Sequence, residues 1–225
     1  MIREYSLQEL LAHTDHTLLR PEATWEQVKE LCDEGVGYRT ASVCLSPVFT
    51  AQASAYLAGR LPLCTVIGFP SGAHSTRAKV LELADAVQNG AQELDMVIHV
   101  GMVKEARWTA VLEELRAMKK ACEGRILKVI VETCLLTQEE KIRLCALVAE
   151  SGADFIKTST GFGARGATVE DVALFRRELP PHVKIKASGG IRSRQAADNL
   201  LRAGADRLGS SVLVALAREE ESLTV

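Results

Sequence analysis

Short runs rich in Val, Ile and Leu alternate with longer stretches of helical period about eight times along the chain. The strand-like runs cover 14–18, 40–45, 63–68, 93–99, 127–132, 155–158, 184–187 and 207–209, each long enough to cross a sheet once. Between them, apolar residues return at helical spacing. Val111, Leu115, Met118 and Cys122 stand at i, i+4, i+7 and i+11, which places them on one buried stripe. Comparable stripes span 24–34, 75–89, 137–151, 168–178 and 193–203.

Boundary residues agree with this alternation. Thr137 with Glu140 and Thr168 with Asp171 have capping-box spacing, in which a hydroxyl and a carboxylate satisfy free N–H groups at a helix start. Gly35, Gly90, Gly124, Gly152 and Gly204 mark expected helix ends. Three of them open a repeated joint into a strand: Gly90-Ala91-Gln92, Gly152-Ala153-Asp154 and Gly204-Ala205-Asp206. No linker or low-complexity tract interrupts the pattern, so a parallel α/β sheet in one domain over residues 1–225 is expected. Eight units in 225 residues leave about 28 each, which fits an eight-stranded parallel β/α (TIM) barrel without spare length. Counting alone leaves a doubly wound open sheet as the alternative.

Composition narrows the function classes. With 27 Lys plus Arg against 29 Asp plus Glu, the net charge of -2 gives no bulk attraction to nucleic acid or an acidic membrane. The six cysteines include no Cys-x-x-Cys pair and read as reduced, mostly buried thiols. Charges at positions 3, 4 and 9 break any signal-peptide core, and no run approaches 18 apolar residues, so a cytoplasmic location is expected.

In a parallel β/α fold, chemistry gathers at the C-terminal ends of the strands. That filter retains Asp15, Cys44, Asp95, His99, Glu132, Lys157 and Lys186. Lys157, in Phe155-Ile156-Lys157-Thr158, either reaches solvent from a strand end or is a buried nucleophile. Lys186 occupies the matching place on the next strand, and with neighbouring strands roughly 4.8 Å apart the two inward-pointing lysines would face each other. Like charge and burial together push one amine of such a pair toward the neutral form that a Schiff base needs. Asp95 shares a strand face with Glu93, Val97 and His99. Inside a barrel this carboxylate requires a lysine partner, whether in a structural ion pair or as a general acid/base. Ser188-Gly189-Gly190 and Gly209-Ser210-Ser211 precede helices and are either phosphate-binding turns or merely tight ones.

Three motifs are discounted. Gly161-Phe162-Gly163-Ala164-Arg165-Gly166 satisfies a dinucleotide pattern, but no suitable acidic residue follows and the helix begins only after the last glycine. His13 and His16 have metal-like spacing, yet a strand turns them to opposite faces, and no metal is expected. Cys44 has no activating base nearby and reads as a passive thiol.

Over nearly its whole length the chain resembles the deoxyribose-phosphate aldolase family, class I barrel enzymes. The likeness is carried by Asp15-His16-Thr17-Leu18-Leu19, Ser42-Val43-Cys44, Thr65-Val66-Ile67-Gly68-Phe69-Pro70, Glu93-Leu94-Asp95-Met96-Val97-Ile98, Lys128-Val129-Ile130-Val131-Glu132-Thr133, Lys157-Thr158-Ser159-Thr160-Gly161-Phe162-Gly163 and Lys186-Ala187-Ser188-Gly189-Gly190-Ile191. The resemblance implies that Lys157 forms the Schiff base, Lys186 perturbs it and Asp95 shuttles protons. It further implies that Asp15 joins the proton network, and that Thr17, Thr158 and Thr160 contact sugar hydroxyls or water. Gly161, Gly189, Gly190, Gly209, Ser210 and Ser211 match the phosphate-binding turns. The implied reaction is reversible cleavage of 2-deoxy-D-ribose 5-phosphate to D-glyceraldehyde 3-phosphate and acetaldehyde. No cofactor is implied, because the iminium is the electron sink, and a homodimer or homotetramer is expected. Another lysine-dependent sugar-phosphate aldolase would instead cleave a ketose phosphate, and a non-catalytic sugar-phosphate-binding barrel would bind without turnover.

The chain departs from the family pattern locally. Phe162 stands where some members carry lysine, and His99 where many carry asparagine. Leu45-Ser46-Pro47 replaces Val-Asn-Pro, and Arg20 replaces lysine. The final residues, from Glu221 to Val225, lack the tyrosine that some members bring to the site.

Overall fold

Eight parallel strands pair in sequence order and close on themselves, β1 against β8, in a computed structural model that describes residues 4–222. The strands are β1 (Thr14–Leu18), β2 (Ser42–Leu45), β3 (Leu63–Ile67), β4 (Glu93–Val97), β5 (Ile126–Ile130), β6 (Phe155–Lys157), β7 (Lys184–Ser188) and β8 (Arg207–Ser210). Ten α-helices accompany them among the described residues: α1 (Leu7–Ala12), α2 (Trp25–Gly37), α3 (Thr50–Leu57), α4 (Thr76–Gln88), α5 (Val100–Lys104), α6 (Trp108–Ala121), α7 (Gln138–Ser151), α8 (Val169–Glu178), α9 (Arg194–Arg202) and α10 (Leu213–Ser222). This is a single-domain TIM barrel, and closure removes the open-sheet alternative. Residues 223–225 of the tail lie outside the described residues.

Side-chain alternation along each strand divides the core in two. Outward residues such as Leu94, Met96, Leu127, Val129, Ile156 and Ile185 join helix residues, among them Leu83, Leu115 and Phe175, in the main apolar cluster. The inward face is different. Its apolar residues, among them Cys44, Cys64, Val66, Val97, Ile130 and Phe155, share the interior with buried Asp15, Glu93, Asp95, Lys128, Lys157 and Lys186. Branched aliphatics usually fill this space. Here charges take much of it, and the main apolar cluster lies between barrel and helices.

The boundary signals resolve individually. Thr137 and Glu140 form the expected reciprocal box. Thr168 caps the Asp171 N–H, but the Asp171 carboxylate instead binds Lys141 at 2.6 Å, tying α7 to α8. Gly90, Gly124, Gly152 and Gly204 adopt positive φ as helix-end glycines do. Gly35 does not, because it lies inside α2, where a Cβ would come 2.6 Å from Val43 Cγ1; its role is close helix-to-barrel packing. All six cysteines are free, and Cys134 alone is not fully buried.

A second buried ion pair sits outside the barrel. Lys79 of α4 donates to the Val97 carbonyl at 2.8 Å and to both Glu114 oxygens at 3.1 Å, joining α4, α6 and the end of β4. Burial lowers the Lys79 pKa while Glu114 opposes that effect. We predict that Glu114→Gln costs about 3 kcal/mol of unfolding free energy in urea, the scale for leaving a buried charge without its partner. Adding Lys79→Met should recover part of it, and a double variant less stable than the single one would contradict this account.

Candidate active site

Strand register assembles the site. Lys157 is paired with Lys186 across β6 and β7, and Asp95 with Lys128 across β4 and β5. All four side chains point inward. The two lysines do not confront each other bare: Asp95 Oδ2 accepts from Lys157 Nζ at 2.7 Å and from Lys186 Nζ at 2.6 Å. The carboxylate therefore has the lysine partners that burial demands. Asp15 Oδ2 also accepts from Lys186, at 2.5 Å, while Asp15 Oδ1 accepts from Ser42 Oγ at 2.7 Å and from Arg207.

Beneath this trio lies a third lysine. Lys128 Nζ contacts Asp95 Oδ1 at 2.8 Å, Glu93 Oε2 at 2.6 Å and Asp15 Oδ2 at 3.4 Å. Arg207 reaches Glu93 at 3.2 Å as well as Asp15. Burial alone would raise both aspartates. The neighbouring cations overcome it: Lys128, Lys186 and Arg207 hold Asp15, and Lys128, Lys157 and Lys186 hold Asp95, well below the usual carboxylate range. Burial likewise disfavours charge on Lys186, but Asp15 and Asp95 outweigh it and keep this amine protonated. Lys186 is thus a fixed cation against the carboxylate that Lys157 shares. Burial pushes the Cys64 thiol up, and it donates to Asp95 Oδ1 at 3.2 Å.

Above the ions opens a cavity of about 640 Å³, with Lys157 in its lining. Thr17, Thr160, Gly161, Gly189, Gly190, Gly209, Ser210 and Ser211 also line it. Asp15, Asp95, Thr158 and Lys186 lie fully buried behind that lining. The Thr158 hydroxyl joins β6 to β7, donating to the Ser188 carbonyl at 3.3 Å and accepting the Ser188 N–H at 3.1 Å. The Thr17 hydroxyl donates to its own strand at the Asp15 carbonyl, 2.7 Å away. Ser210 Oγ accepts from the Val212 N–H at 3.1 Å and turns the chain into α10, whereas Ser211 is exposed.

The turns after β6 and β7 rest on each other backbone to backbone. A Cβ on Gly166 would stand 2.1 Å from the Gly189 carbonyl oxygen, and one on Gly189 would stand 3.0 Å from Gly166 Cα. This close approach is what Gly166, the last glycine of the discounted dinucleotide motif, serves. Glu132 braces the same loop, its φ of 54° directing the side chain to Thr160 Oγ1 at 2.5 Å. Phe162 packs edge-on against Phe69 with centroids 5.3 Å apart, at the rim of the cavity.

Other candidates lie elsewhere. β4 ends at Val97, so His99 is not on its inward face; its Nδ1 caps α5 by accepting the Met102 N–H at 3.3 Å. His16 Nε2 meets Glu34 at 2.7 Å and His13 Nδ1 meets the Asp206 carbonyl at 3.0 Å, so the two do not converge. Cys44, Cys64 and Asp95 approach as metal ligands would, but both Asp95 oxygens already serve lysines. Lys128 and Arg207 escaped the strand-end filter because they sit in the middle of β5 and at the start of β8. The polar interruption of an apolar run that singled out Lys157 also occurs at Lys128.

A closed barrel whose interior holds a cavity-lining lysine against a buried aspartate and a second lysine defines a class of barrel protein equipped for imine chemistry. Comparison with known proteins narrows the class. The DeoC/LacD family aldolase model matches residues 10–217, and the chain belongs to that family. A deoxyribose-phosphate aldolase of Clostridium botulinum (strain Eklund 17B / Type B) is 48% identical over 95% of this chain and 97% of its own length. One from Streptococcus pyogenes serotype M28 is 48% identical over 97% and 98%. The tetrameric deoxyribose phosphate aldolase of Aeropyrum pernix superposes with a TM-score of 0.89 at 34% identity, covering 97% of this chain and 93% of that one.

The ion cluster dictates a pH dependence. Asp15 titrates lower in the folded state than its ordinary 3.8, so its stabilisation is complete above that value and is lost as pH falls through the folded one. Asp15→Asn should therefore cost about 3 kcal/mol, constant between roughly pH 5 and 8 and shrinking only in stronger acid. Urea unfolding across pH checks this, and a cost that already declines near pH 6 would exclude it.

Proposed function

We propose that the chain is a class I aldolase that reversibly cleaves 2-deoxy-D-ribose 5-phosphate to D-glyceraldehyde 3-phosphate and acetaldehyde, with Lys157 as the Schiff-base nucleophile. The observation that carries the reading is the Lys157 amine, in the cavity lining and 2.7 Å from the carboxylate it shares with Lys186. Neutral Lys157 attacks C1 of the open-chain sugar, and loss of water leaves an iminium. Removal of the C3 hydroxyl proton then breaks the C2–C3 bond, whose electrons flow into the iminium to give an enamine. Glyceraldehyde 3-phosphate departs. Protonation of the enamine at C2 and hydrolysis of the imine release acetaldehyde and restore the amine. Asp95, in direct contact with Lys157, relays these protons.

Gly189, Gly190, Gly209 and Ser211 supply the turns that hold phosphate through backbone N–H groups and the adjacent helix starts. Gripping the far end of the sugar directs C1 toward the amine. The half-exposed Phe162 contributes no cation, which leaves more of the anion binding to the backbone. Thr17 and Thr160 are positioned for sugar hydroxyls or water, and Asp15 joins the proton network through Lys186. No helix among the described residues is long and apolar enough to cross a membrane, which supports a cytoplasmic assignment. A homodimer or homotetramer is proposed, supported by the tetrameric Aeropyrum relative.

Borohydride reduction in the presence of deoxyribose 5-phosphate should trap a covalent adduct on Lys157 alone, located by peptide mass spectrometry. Active protein with Lys157 unmodified would refute the assignment. Gly166→Ala should raise KM for the sugar phosphate by about tenfold, because its Cβ displaces the Gly189 turn, while kcat falls far less. A selective loss of kcat would instead mean that this contact serves the amine.

A further inference from the structure

Lys128 is fully buried, and it is the one cation of the interior that touches all three of its carboxylates: Glu93 at 2.6 Å, Asp95 at 2.8 Å and Asp15 at 3.4 Å. Its place in the middle of β5 puts it below Lys157 and behind the cavity lining. It therefore cannot meet substrate as Lys157 does. Its grip on Asp95 is nonetheless specific. Lys128 takes Oδ1, together with the Cys64 thiol, which leaves Oδ2 to Lys157 and Lys186. Without it, nothing charged fixes the rotation of that carboxylate on the Oδ1 side.

The charge count points the same way. The interior sets Lys128, Lys157, Lys186 and Arg207 against Asp15, Glu93 and Asp95, an excess of one positive charge at low dielectric. A surplus cation is relieved when one amine releases its proton, and the cavity-lining amine is the one with a route to solvent. Removing Lys128, which the reaction does not consume, would bring this count to balance.

We propose that Lys128 is a positioning residue for the aldolase reaction: it orients Asp95 through Oδ1 and supplies the surplus positive charge that makes an amine of the site available as a nucleophile near neutral pH. This rests on the aldolase reading given above. Lys128 meets Asp15 from β1, Cys64 from β3 and Glu93 and Asp95 from β4, and shares the interior with Cys44 from β2, Lys157 from β6, Lys186 from β7 and Arg207 from β8. Burial would neutralise Lys128, but Asp15, Asp95 and Glu93 keep it firmly protonated, so its charge is constant through the working range.

The test is the pH profile of kcat/KM for deoxyribose 5-phosphate cleavage. Lys128→Met should move the acid limb up by about one pH unit or more, so that activity at a pH below the limb falls about tenfold or more and returns as pH rises. KM should change little, because the phosphate turns are untouched. Lys128→Arg, which keeps the charge, should return the limb to its wild-type position whatever its kcat. Glu93→Gln removes a carboxylate and should move the limb down, which keeps the proposal testable if Lys128→Met does not fold. Limbs unmoved in Lys128→Met or in Glu93→Gln, alongside an active wild type, would overturn this inference and leave the aldolase reading intact. Absence of cleavage by the wild type at every pH would sink the aldolase reading itself.

Discussion

One carboxylate organises the interior of this barrel. Asp95 lies between lysines from three successive strands, β5, β6 and β7, and each of its oxygens is committed. An isolated ion in such a place would be untenable, since desolvating it costs several kcal/mol. It persists because every charge nearby has a partner within hydrogen-bond distance, and those partners themselves share partners. The network leaves Lys157 in a distinct position. Among the described residues its amine has Asp95 as its only carboxylate contact, whereas Lys128 and Lys186 each bind more than one. The lysine with the fewest carboxylate partners is thus the one that lines the cavity.

How much of this was legible in the chain depends on the kind of signal. Strand-helix alternation is a local property, and the eight strands fall where short apolar runs stand. The interruptions at Lys157, Lys186 and Asp95 were also legible, since a charged residue in a buried run has to be compensated. The assembly of the ion cluster was not. Lys128 carries the same signal as Lys157, but its mid-strand place suggested nothing chemical until Glu93, Asp95 and Asp15 were seen around it. Arg207 starts β8 and reads as a structural residue in sequence, yet it reaches both Asp15 and Glu93. Contacts between residues more than a hundred positions apart leave no periodic trace. His99 failed for a different reason: alternation continues through Ile98, but the backbone leaves the strand at Val97, and no residue type announces that exit.

The mouth of the barrel follows a different logic from its interior. Ions hold the floor, whereas close backbone contact holds the rim, where Gly166 and Gly189 meet with no room for a side chain. Backbone N–H groups cannot swing away as a lysine side chain can, so an anion site built from turns is as rigid as the turns themselves. Glu132 adds to that rigidity by gripping Thr160 on the same loop. With Phe162 packed on Phe69 in place of a mobile cation, positional precision at the rim rests on the main chain.

Closure of the barrel and the chemistry of the site are one constraint. Asp15 belongs to β1 and Lys186 to β7, and they approach to 2.5 Å only because β8 pairs with both of those strands. In an open doubly wound sheet the first and seventh strands would not be arranged around one axis, and Asp15, Lys186 and Arg207 would each be a buried charge in need of another partner. The choice between ring and row, which residue counting could not make, is therefore contained in the charges. Three carboxylates and four cations distributed over β1, β4, β5, β6, β7 and β8 can all be satisfied only around a common centre. The same closure that neutralises them brings the aspartate and the two upper lysines together below the cavity. An overall charge of -2 conceals this cationic centre, because the residues that create it are withdrawn from the surface.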